Sequence, residues 1–97
     1  RDFMPGMYVR ELYGDKVEFA GLVANGRVFR GDKGRYVTFL TLGVGNGQYV
    51  DVTIKKPFSY SDHDVVWGQG TIRHSNNSDY VECYDYQGYR LEKFAKA

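Results

Sequence analysis

What most constrains this chain is a succession of short segments with a two-residue apolar period, cut apart by Gly, Asn and Pro. The clearest runs from Gln48 to Lys55. Val50, Val52 and Ile54 fall on one face, and Tyr49, Asp51, Thr53 and Lys55 on the other. Such alternation predicts a half-buried strand. Tyr36 to Val44 precedes it, joined through Asn46-Gly47, a strong hairpin signal. Val17 to Ala24 is rich in Val, Phe and Leu, and its internal Gly21 predicts a bulge or sharp bend. Beyond Pro57, Val65 to His74 places Val66 and Ile72 in one phase and Trp67, Thr71 and Arg73 in the other. Gly68 and Gly70 inside it permit strong coiling or close backbone approach. After the turn Ser75 to Asp79, the segment Tyr80 to Tyr86 sets Tyr80, Glu82, Tyr84 and Tyr86 opposite Val81, Cys83 and Asp85.

The segments between them read as loops. Asn25-Gly26-Arg27 and Gly31-Asp32-Lys33-Gly34 carry residues that tolerate positive φ. Pro57 to Asp64 has room for one helical turn. Five short strands with Gly at the bends predict a sandwich or a small closed barrel. The Cys…Trp…Cys pattern of immunoglobulin domains is absent, and closure removes exposed edges. The expectation is an all-β, five-stranded Greek-key barrel with little helix. It is a single domain, with 1–16 as an N-terminal packing segment and 17–94 as the barrel. The strand from Tyr36 leaves its phase open: Val37 and Phe39 oppose Leu40, Leu42 and Val44, so it carries a bulge or is buried on both sides.

Composition narrows the function classes. A 97-residue chain is one domain, and folding hides roughly 65% of the unfolded surface. One Cys forms no internal disulfide. No apolar run approaches the ~18 residues of a membrane span, and no signal peptide is visible, so a cytoplasmic location is expected. The net charge of +1 hides an asymmetry. Residues 27–60 carry Arg27, Arg30, Lys33, Arg35, Lys55 and Lys56 against only Asp32 and Asp51, while the flanking thirds are each net acidic. A basic block of this kind attracts polyanions even in a nearly neutral chain.

Two stretches resemble a known family. Val17-Glu18-Phe19-Ala20-Gly21-Leu22-Val23-Ala24, a basic Gly loop, and Gly34-Arg35-Tyr36-Val37-Thr38-Phe39-Leu40-Thr41-Leu42 are similar to the first two strands of single-stranded DNA-binding proteins. Val66-Trp67-Gly68-Gln69-Gly70-Thr71-Ile72, with the turn and strand after it, resembles the fourth and fifth strands of that family. The size resembles the short phage or plasmid members. The resemblance implies an OB-fold barrel that coats and protects single-stranded DNA, with RNA as the alternative, in phage or mobile-element replication or recombination. It also implies a homo-oligomer, with a dimer favoured. The long helix usual between the third and fourth strands of chromosomal members has no counterpart here.

Single strands are held by cations on phosphates and flat rings on bases, at roughly 1–3 kcal/mol per stacked base. By strand parity the stacking candidates are Tyr36, Tyr49, Trp67, Tyr84 and Tyr86. Phe19 and Phe39 are assigned to the core, and Val65 and Trp67 share a phase that also suits Trp67 as a core anchor. The phosphate candidates are Arg27, Arg30, Lys33 and Arg35 around the first loop, with Lys55, Lys56 and Arg73 behind. In OB-folds that loop and the one between the fourth and fifth strands flank the groove; here the second loop, His74 to Asp79, is polar.

Other signals carry less. Arg30-Gly31-Asp32 is read as an ordinary turn, and Asn76-Asn77-Ser78 matters only in a secreted protein. Asp62-His63-Asp64 is expected to be an exposed turn, since a metal site needs convergent ligands. Gly43 to Gly47 lacks the spacing and the helix of a dinucleotide fingerprint. Cys83 is expected to be a small buried residue. No nucleophile–base pair is legible, so a binding protein without cofactor or metal is expected, not an enzyme. A protein-interaction adaptor of a replication or virion complex is the second expectation. A carbohydrate-binding domain is the third, since exposed Tyr and Trp also stack on sugars.

Overall fold

The computed structural model describes residues 8–45, 47–62, 64–83 and 91–94. Seven strands are described: β1 (Tyr8–Tyr13), β2 (Lys16–Arg30), β3 (Tyr36–Gly45), β4 (Gln48–Ile54), β5 (Val65–His74), β6 (Asp79–Cys83) and β7 (Leu91–Phe94). Five of them close a ring. β2 pairs with β3, β3 with β4, β4 with β6, β6 with β5, and β5 returns to β2. All these pairings are antiparallel except β4–β6, where Val52, Thr53 and Ile54 run parallel to Val81, Glu82 and Cys83. The first barrel strand thus lies between the second and fourth, and the third runs parallel to the fifth. That is the closure of an OB-fold-like Greek-key barrel, and the five ring strands are the five read from the sequence.

The strands outside the ring extend its walls. β1 makes a hairpin with β2 through a turn at Gly14, whose φ is +52. It lies on the same edge of β2 that β3 takes further along, so part of the expected N-terminal packing segment is a strand. β7 pairs with β5 from Val65 to Gly68.

The core is the inner phase of each ring strand. Val17, Phe19 and Val23 meet Leu40, Leu42, Val52, Ile54, Val66, Val81 and Cys83. Burying a side chain of this size contributes about 1.5–3 kcal/mol. The alternation read for β4 holds in part: Val52 and Ile54 are buried and Tyr49, Asp51 and Lys55 exposed, but Val50 is only half-buried and Thr53, on the outward phase, is buried at 6% exposure. Cys83 is buried in the core, as expected. Gly70 is required by closeness: a Cβ there would lie 2.5 Å from Val81 Cγ1 and 2.8 Å from the Glu82 carbonyl oxygen.

The segment between β4 and β5 closes one end of the barrel without a helix. The hydroxyl of buried Thr38 donates to the Lys56 carbonyl at 2.8 Å and accepts the Phe58 N–H at 3.1 Å. Phe58 and Tyr60 are thereby set against the core. Asp64 is buried, against the expectation of an exposed turn. Its carboxylate accepts the Ser61 N–H at 2.7 Å, and its carbonyl accepts the Val23 N–H at 2.8 Å. A buried carboxylate needs such donors, and here they pin the loop to β2. His63 lies outside the described residues.

One difference from the sequence reading reorganises the surface. β2 does not end at Ala24 but continues through Asn25-Gly26-Arg27 to Arg30. Its register against β3 shifts between Val23 and Asn25. Val23 pairs with Leu42, and Asn25 with Thr41, which leaves Ala24 as an extra residue. Such a bulge reverses the alternation beyond it. Val17, Phe19 and Val23 therefore point inward at odd positions, while Arg27 and Phe29, also odd, point outward.

Candidate functional site

The outer surface of β2, β3 and β4 carries a cleft of about 830 Å³. Its floor follows from register, because directly paired residues share a side of the sheet. Asn25 pairs with Thr41 and Arg27 with Phe39 across β2–β3; Thr41 pairs with Asp51 and Phe39 with Thr53 across β3–β4. These residues line the cleft, with Lys55 on the same face of β4. Ser78 and Tyr80, from the β5–β6 turn and the start of β6, form its far wall. The cleft therefore lies on the face, and beside one of the loops, that OB-folds use for oligonucleotides and oligosaccharides.

Phe39 is the main departure from expectation. It is 41% exposed, not part of the core. The phase of Leu40 and Leu42 decides it: both are buried, so Phe39 must face outward. Its ring meets that of Phe29 edge to face, with centroids 5.5 Å apart and planes at 74°. The Arg27 guanidinium lies over the Phe29 ring at 4.5 Å from its centroid. Arg27, Phe29 and Phe39 thus form one cationic and aromatic cluster, of which Arg27 and Phe39 line the cleft.

The cations divide into two groups. Arg27, Arg30, Lys33 and Arg35 are all exposed. The last three stand at the tip of the β2–β3 hairpin, around a short 3-10 turn at Asp32–Gly34. The turn is closed by the Gly31 N–H on the Arg35 carbonyl at 2.6 Å, and Lys33 adopts a left-handed φ of +63. Lys55, which also lines the cleft, and Arg73 converge on β6. Both reach the carboxylate of buried Glu82, Lys55 at 3.5 Å and Arg73 at 3.1 Å. Their charge is partly spent on Glu82, which lowers their value as phosphate ligands. Lys56 is half-buried at the start of the end-closing segment, away from the cleft lining.

The aromatic candidates are not brought onto one face. Tyr49 is 66% exposed but stands opposite Gly43 near the β3–β4 turn, outside the cleft lining. Tyr36 is exposed and pairs with Arg30, on the same side of β3 as Thr38 and Leu40 and so opposite to Phe39. Trp67 is only 6% exposed and presents no ring face for a base to stack on. It lies in the phase opposite Val66, on the central strand β5 between Ala20 of β2 and Glu92 of β7. Tyr84 and Tyr86 lie outside the described residues.

Sequence reading missed Phe39, Phe29 and Tyr80. The first was recoverable, because Leu40, Leu42 and Val44 form the stronger apolar phase of β3. Tyr80 sits with Glu82 on the outward phase of β6 and was readable as an outward residue. Phe29 was not recoverable, since its orientation depends on the bulge at Ala24.

Polar contacts stiffen the cleft and its rim. The Thr41 hydroxyl donates to Asp51 Oδ1 at 2.9 Å on the floor. In the β5–β6 turn, the Ser75 N–H and hydroxyl both bond the Ser78 carbonyl, at 3.1 and 2.6 Å, and His74 Nδ1 lies 2.7 Å from Asp79 Oδ1. Among the described residues, no group of three or more His, Cys, Asp or Glu is gathered as metal ligands, and no helix is long and apolar enough to cross a membrane. No protein-family model, curated protein or solved structure matches the chain.

Proposed function

We propose that this protein binds single-stranded nucleic acid, with single-stranded DNA as the first ligand to test, along the outer face of β2, β3 and β4. The observation that carries the reading is the cleft itself. It joins an exposed phenylalanine ring, Phe39, to the guanidinium of Arg27 on the ligand face of an OB-fold-like barrel. A ring supplies stacking that tolerates any base, and the cations supply phosphate attraction. The exposed Arg30, Lys33 and Arg35 continue the positive surface to the hairpin tip. Function would be occupancy: a bound strand is shielded and kept from re-pairing.

The test is a titration of an end-labelled oligo-dT strand followed by fluorescence anisotropy over a salt series. Anisotropy is preferred to intrinsic fluorescence because the only Trp is buried. Affinity should fall with salt at a log–log slope of about −0.7 per phosphate neutralised. Absence of binding at low salt overturns the reading. Retention of a protein partner at high salt without any oligonucleotide binding would favour an adaptor role instead.

A further inference from the structure

The cleft contains a group that a purely phosphate-binding surface would avoid. Asp51 sits on its floor, exposed, in the centre of the outward face of β4. Its Oδ1 accepts the Thr41 hydroxyl at 2.9 Å, and the two residues are direct cross-strand partners. Among the described residues Asp51 makes no ion pair, and its Oδ2 has no hydrogen-bond partner. The nearest cation along its own strand face, Lys55, is turned to Glu82. Asp51 is therefore an oriented carboxylate, without an ion pair among the described residues, facing the space where the ligand would lie.

A phosphate would be repelled from that point. A base edge with hydrogen-bond donors would not. An ionised carboxylate only accepts, and it has about four lone-pair sites, of which Thr41 uses one. The bases differ in what they offer. Thymine has one N–H between two carbonyls. Cytosine and adenine each have an amino group beside a ring acceptor. Guanine alone presents two adjacent donors, its ring N–H and its amino group, which match the two oxygens of one carboxylate. The rings of Phe39 and Tyr80, which line the same cleft, could flank a base so placed.

We infer that Asp51, positioned by Thr41, is a specificity residue that selects guanine at one nucleotide position in the cleft. This rests on the nucleic-acid reading above and adds a sequence preference to it.

The experiment compares three labelled strands: oligo-dT, the same strand with one central dG, and the same strand with inosine there. Inosine keeps the ring N–H and loses the amino group. On the unmodified protein the dG strand should bind roughly ten-fold tighter than oligo-dT, and inosine should lose most of that gain. Asp51→Asn should bring the dG strand to the level of oligo-dT, because an amide supplies one acceptor and opposes the second donor with its own. Equal affinity for dG and dT strands, a preference for a central dC, or a dG preference that survives Asp51→Asn overturns the inference while leaving strand binding intact. Failure of all strands to bind at low salt overturns both.

Discussion

Phe29 and Phe39 meet edge to face on the outer side of the β2–β3 hairpin, with ring centroids 5.5 Å apart. They are not register partners: Phe39 pairs with Arg27, and Phe29 with Val37. The contact is diagonal, and it exists only because the bulge at Ala24 turns the second half of β2 over. Phe29 braces Phe39 from one side and leaves its other surfaces to the cleft.

Phe39→Ala should therefore weaken oligonucleotide binding much more than it weakens the fold. Loss of one stacking platform corresponds to about 5- to 150-fold in affinity. Loss of the Phe29 contact corresponds to about 1 kcal/mol of stability. Anisotropy titration and urea denaturation read the two separately. A large stability loss with unchanged binding would place Phe39 in a structural role.

Tyr36 and Tyr49 provide the contrast. Both are exposed, but neither lines the cleft. Tyr36→Ala and Tyr49→Ala should each leave the affinity for a short strand within about two-fold, since neither removes a stacking platform there. A loss comparable to that of Phe39→Ala would move the binding path towards the hairpin or the β3–β4 turn.

Arg27 joins the aromatic cluster to phosphate attraction. Arg27→Gln should lower affinity for all sequences alike and flatten the salt slope by about 0.7, one phosphate's worth. An unchanged slope would mean that Arg27 serves only to cover the Phe29 ring, at 4.5 Å from its centroid.

Barrel closure has its own test at Gly70. A single methyl there would be 2.5 Å from Val81 Cγ1 and 2.8 Å from the backbone oxygen of Glu82. Gly70→Ala should cost about 1–3 kcal/mol through overpacking, measured as a lower urea midpoint. Undiminished stability would show that β5 and β6 can separate at this crossing without loss.

How far the sequence could be read depended on where a residue's side is set. The phase of β4 was legible because its alternation is unbroken, which places Asp51 and Lys55 outward, although Thr53 on that same phase is buried. β6 was legible for the same reason up to Cys83. Trp67 illustrates the limit: parity put it on the outward side, but whether that side is covered depends on other segments, and it is buried. Lys55 and Arg73 show a second limit. Their attraction to Glu82 joins three different strands, β4's end, β5 and β6, through the parallel β4–β6 pairing.

The amino-acid sequence alone determined the architecture. Period-two segments, Gly at the crossings and too few residues for two sheets lead to one five-stranded barrel, because local patterning sets which residues can be buried. It also determined that the middle third is basic. The tertiary structure decided the site. One extra residue at Ala24 reverses the outward set on β2, and that reversal brings Arg27 and Phe29 beside Phe39. A bulge is a property of pairing between two strands, not of either strand's own pattern, so no reading of single segments could have placed it.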